Sequence, residues 1–166
     1  TDREERVQKK LADVRAHLRP ALRRHELDIL YAEVQEQGEG ASALCRAFGD
    51  VLGASTVERL VQEARTHYEM GSRERLESIK NRIRSIFWEH YVKTRECWVR
   101  LHQHLRTRVD DATDRVRFHD LLKKADGYLA QEDLDGARLC LVQAMDLLDS
   151  GSGAELGLYG DAGLRR

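Results

Sequence analysis

An all-α fold, five to six helices joined in antiparallel hairpins, is what this sequence predicts, on three observations. The composition, 41% apolar and 34% charged with a single proline, leans on Leu, Ala, Glu and Arg and so favours helix over sheet. Apolar residues recur at spacings of three and four along most of the chain. Short polar segments between those runs carry the residues that stop and start helices. The 166 residues suit one helical domain, 1–149, followed by a Gly-rich tail, 150–166, expected to be flexible.

Val7, Leu11, Val14, Leu18 and Leu22 form one face of a first helix, with a kink expected at Pro20. Ile29, Leu30 and Val34 continue it as far as Gly38-Glu39-Gly40, which reads as a stop. A short helix with Leu44, Phe48, Val51 and Leu52 facing inward then runs to Gly53. Ser55-Thr56-Val57-Glu58 has the form of a capping box, opening a helix that buries Leu60, Val61, Ala64 and Tyr68. Gly71 supplies the left-handed residue that closes that helix, and Ser72 caps the next, with Glu74 against its positive end.

From 76 to 107 the stripe Leu76, Ile79, Ile83, Ile86, Phe87, Tyr91, Trp98, Leu101 and Leu105 predicts a long central helix of roughly 48 Å. That length requires a bend near Thr94 or a projection beyond the body. Asp111 or Thr113 caps a fifth helix built on Val116, Leu121, Leu122, Ala125, Tyr128 and Leu129. Asp133 caps a sixth, with Leu134, Ala137, Leu141, Ala144, Met145 and Leu148 on its apolar face. The turns resemble one another, but Gly38 to Gly71 spans 33 residues and Gly71 to Asp133 spans 62. Without a fixed period, irregular hairpins are expected rather than a solenoid.

The net charge of −1 conceals blocks: +4 over 1–25, −6 over 26–70, +6 over 71–108 and −5 over 109–166. Such alternation suits helices that neutralise one another, and 22 Arg against 6 Lys supply the forked partners for carboxylates. No apolar run approaches the roughly 18 residues of a membrane span. Cys45, Cys97 and Cys140 are three, far apart and without a Cys-x-x-Cys pair, which points to reduced, buried thiols and a cytoplasmic protein.

Catalytic and metal signatures fail on spacing. His102 and His104 are two residues apart, about 200° around a helix, and cannot share an ion. His90 is seven residues from Cys97, about two turns and out of reach for activating a thiol. There is no phosphate loop, dinucleotide fingerprint or nucleophile elbow. A non-enzyme without cofactor or metal is therefore expected, acting by binding another protein.

The surface singled out for that partner is the basic, aromatic stretch 73–108, with Arg84, Trp88, Arg95 and His102 as candidate contacts. Trp88 and His102 fall off the apolar stripe, and exposed Trp and Arg are common energetic centres of interfaces. Two alternatives use the same stretch: nucleic-acid binding through phosphate contacts and stacking, and homo-oligomerisation through the long helix.

The segment VERLVQEARTHYEMGSRERLESIKNRIRSIFWEHY also resembles helical segments that follow the ATPase and substrate domains of some bacterial DnaK-like (seventy-kilodalton heat-shock) proteins. Leu60, Ala64, Gly71, Leu76, Ile79, Ile86 and Trp88 carry the likeness, over about 35 of the 166 residues. No ATPase phosphate loop accompanies it. The resemblance implies an accessory or lid-like helical module of a chaperone rather than its motor.

Overall fold

The structure, a computed structural model, describes residues 2–148; the tail expected at 150–166 lies outside them. Among the described residues are six α-helices and no β-strand: α1 (Asp2–Ala47), α2 (Val51–Glu69), α3 (Arg73–Tyr91), α4 (Arg95–Arg106), α5 (Arg115–Ala130) and α6 (Leu134–Met145). A 3-10 turn, Val109–Asp111, precedes α5. Where the sequence reads as one domain, the chain gathers into two compact units that divide between Phe87 and Trp88.

In the first unit, α1 runs unbroken through Pro20 and through Gly38-Glu39-Gly40. The expected stop at Gly38 is instead a point of close packing. A Cβ on Gly38 would lie 2.4 Å from Cγ2 of Val61 in α2, so glycine is what lets the two helices touch. The chain turns later, at Gly49, whose φ of +73° is the left-handed conformation, and Asp50 caps α2 by accepting from the Gly53 N–H at 2.8 Å. Ser55 therefore lies inside α2 and opens no helix, and Phe48, Val51 and Leu52, expected inside, stand exposed.

The close of α2 at Gly71 follows the expectation. Gly71 has φ +70°, and the Ser72 N–H reaches back to the His67 carbonyl at 2.9 Å. Leu27, Leu30, Val34 and Ala41 of α1 meet Val57, Leu60 and Ala64 of α2 and Leu76, Ile79 and Ile83 of α3 in one core. Ion pairs stitch its rim: Arg73 holds Glu26 and Glu77, both at 2.9 Å, Lys80 holds Glu33, and Arg46 holds Glu58. Tyr68 stacks on Tyr31 with ring centroids 4.5 Å apart and donates its hydroxyl to Asp28 at 2.6 Å.

In the second unit the long stripe from 76 to 107 is cut at Thr94. That residue is extended (φ −92°, ψ 144°); its hydroxyl donates to the Tyr91 carbonyl at 2.7 Å and accepts from the Cys97 N–H at 3.3 Å. Asp114, rather than Asp111 or Thr113, caps α5 through the Arg117 N–H at 3.0 Å. Thr113 is used elsewhere: its N–H and hydroxyl both donate to the Leu147 carbonyl, at 2.8 and 3.0 Å. Asp133 caps α6 as expected, through the Gly136 N–H at 2.9 Å. Trp98, Leu101 and Leu105 of α4 pack with Phe118, Leu122 and Leu129 of α5 and Ala137, Leu141 and Ala144 of α6. Val116, expected in that core, points outward.

Candidate interaction surface

Two of the four contacts expected from the sequence prove to be structural. His102 is buried, and its Nε2 lies 3.0 Å from the Leu122 carbonyl, tying α4 to α5. It is therefore no surface residue; being off the main stripe put it against a second helix rather than in solvent. Trp88 is half-buried, packed on the second unit's core and edge-on to Tyr91 at 5.3 Å between ring centroids. Arg84 is half-buried on α3, and Arg95 is exposed as the first residue of α4. The aromatics of this stretch, Phe87, Tyr91 and Trp98 among them, pack into cores, so the ring faces that base stacking needs are engaged already.

The longest row of exposed apolar side chains among the described residues lies where the sequence suggested core. Every side chain described from 4 to 26 is exposed, and Val7, Leu11, Val14, Leu18 and Leu22 each show 51–58% of their surface. Ile29 continues them at 49%. What cover they have is what a helix gives its own side chains, three and four residues away. At Arg24 the helix is tied to α2: the guanidinium lies over the Tyr68 ring at 4.4 Å and donates to its hydroxyl at 2.7 Å.

Helical geometry explains the contrast. At about 100° per residue, the six exposed residues from Val7 to Ile29 occupy a sector about 80° wide. Leu27, Leu30, Val34, Ala41 and Cys45, all buried, occupy another of about 60° whose centre is about 150° away around α1. The pattern changes phase at a five-residue step, Leu22 to Leu27, where a three or four would have kept one face. Helix α1 thus has two apolar stripes on opposite sides. One is covered by α2 and α3; the other is exposed along its length.

A groove of about 410 Å³ opens between α1 and α2, lined by Gln35, Ser42, Arg46, Val57, Glu58 and Gln62 among others. Its central polar groups are spent on one another, since Ser42 and Arg46 both donate to Glu58. The three thiols are buried. Burial pushes the Cys97 thiol up to about 11 and raises that of Cys140, so both are held as neutral thiols with little nucleophilic character at neutral pH.

No helix among the described residues is long and apolar enough to cross a membrane. In comparisons with protein-family models, curated proteins and solved structures, nothing matches this chain.

Proposed function

We propose that this chain is a non-catalytic helical module that binds another protein, and that the outer stripe of α1 is its docking face. The observation that carries the reading is the row Val7, Leu11, Val14, Leu18 and Leu22, exposed along about four turns of helix and opposite the stripe that packs. A row of aliphatic side chains at these spacings is the side of a helix that pairs with another helix or a groove. Left in water it costs stability and invites aggregation, so its retention favours a use.

Nucleic-acid binding through residues 73–108 has less behind it. Arg73, Lys80, Arg100 and Arg108 of that stretch are paired with carboxylates, and its aromatics are engaged in packing. Service beside a chaperone motor, as the DnaK-like likeness implies, is a narrower form of the reading proposed here. It requires a DnaK-like ATPase to contact the outer face of α1.

A photo-cross-linking amino acid placed at Leu18, and in a second version at Ala16 on the opposite side of the same helix, tests the proposal in cells. Adducts to protein are expected at position 18 and not at 16. Equal labelling at both positions, or adducts only to nucleic acid or lipid, would overturn it.

A further inference from the structure

We infer that the occupant of this face is a helix of a different protein, with an apolar stripe of its own flanked by carboxylates, lying alongside α1 as a short two-helix coil. The inference rests on the docking-face reading above and adds the chemistry of the partner. The first observation is the spacing. Val7, Leu11 and Val14 lead to Leu18 in steps of four, three and four, and Leu22 and His25 lead to Ile29 in the same steps. An eleven-residue repeat of this kind stays nearly in line with the helix axis, so the seam runs almost straight. It is also narrow, aliphatic except at His25, and without Trp, Tyr or Phe. A narrow seam fits one helix, whereas a helix lying on a bilayer presents a broad apolar face, commonly with Trp or Phe.

The second observation is charge. From Arg6 to His25 the chain carries seven Lys or Arg and a single carboxylate, Asp13, while Glu26 and Asp28 beside Ile29 are held by Arg73 and by Tyr68. Lys10 borders the seam on one side, and Arg15 and Arg19 border it on the other. Asp13 sits about 140° from the seam's centre, too far round to face a partner. Two copies of this chain laid seam to seam, parallel or antiparallel, would therefore bring arginine and lysine against arginine and lysine. Like charges flanking a helical seam oppose pairing, and opposite charges select a partner and its direction. The flanks thus disfavour a second copy and suit glutamate or aspartate across the seam. Arg24 is excluded from this role because it is held by Tyr68 and Asp28.

The test uses the whole chain and two designed helical peptides of about 25 residues. Both carry leucine at the four-three-four spacing; one has glutamate on both flanks and the other lysine. Phosphatidylcholine vesicles with and without phosphatidylserine are run beside them, with anisotropy and sedimentation as readouts. The glutamate peptide is expected to bind at least about tenfold more tightly than the lysine peptide, with the gap shrinking as salt rises to several times the physiological level. Paired Leu11→Ser and Leu18→Ser should remove that binding while circular dichroism is retained. Lys10→Glu, Arg15→Glu and Arg19→Glu together should transfer the preference to the lysine peptide.

Equal binding of the two peptides would overturn the charge assignment and leave the docking face standing. Tighter binding to phosphatidylserine vesicles than to either peptide would replace the helix with a membrane surface. A dimer in light scattering that Leu18→Ser dissolves would make the occupant a second copy. No binding to any probe, with no cross-link at position 18, would remove the docking face itself.

Discussion

The two halves of α1 are one continuous helix with opposite fates. Both halves carry aliphatic residues at spacings of three and four, yet Leu30 and Val34 are buried while Leu11 and Leu18 are half-exposed. Hydrophobicity is the same on both sides of Leu22; the phase differs. Because α2 and α3 pack along one side of α1 only, a stripe rotated by about 150° is beyond their reach however apolar it is. Spacing thus identifies a helical face, and only its phase relative to the neighbouring helices decides whether that face becomes core.

The sharpest way to break this comparison is to truncate one leucine in each half. Leu30→Ala should destabilise the first unit by about 2–5 kcal/mol in urea unfolding followed by circular dichroism. A loss no larger than that of Leu18→Ala would mean that the two stripes are not differently covered. In the second unit the buried thiol gives a comparison in pH. An unfolded Cys97 loses its proton as pH passes 9.0, and the folded one only near 11, so the native state holds the proton more tightly between them. Stability is therefore intact below pH 9 and falls by about 3 kcal/mol as pH rises toward 11. Tryptophan fluorescence reads this unit alone, since Trp88 and Trp98 both belong to it. Cys97→Ala should flatten that alkaline slope, and an unchanged slope would point to other groups.

Smaller effects separate the two glycines. Gly38→Ala should cost about 1–3 kcal/mol because the new methyl meets Val61. Gly40→Ala meets nothing within 4 Å and should stabilise α1 by about 0.5–1 kcal/mol. Equal outcomes at 38 and 40 would remove the close approach of α1 and α2. Smallest of all, Leu18→Ala should move stability by less than about 0.5 kcal/mol, since no neighbour is lost.

Local chemistry was what the sequence disclosed best. Gly71, Asp133 and the break at Thr94 stand where residue type placed them, because each turn is settled by groups within about five residues. The misplaced features depend on partners far along the chain. Gly38 reads as a breaker until Val61, 23 residues on, is seen against it. Ser55 satisfies the capping pattern, but Asp50, five residues earlier, has already begun the helix. His102 looks solvent-facing on its own helix and is claimed by a carbonyl of α5. The outer stripe is a different case, for its signal was present: a step of five between Leu22 and Leu27 cannot continue one helical face. Of the four contacts the sequence offered, the structure leaves only Arg95 fully in solvent, and the outer face of α1 reads as interior in the sequence because no periodicity says which side neighbours will take.

The five-residue phase step has a mechanical consequence. Helix α1 acts as a shaft with a keyway cut on each side, and the turns from Arg23 to Glu26 set the angle between the two keyways. One residue added there would rotate the outer seam by about 100° and carry it about 1.5 Å along the axis, leaving the packed half as it was. Chains differing only in the length of that stretch would present the same partner in different directions, so bearing and affinity could be altered independently.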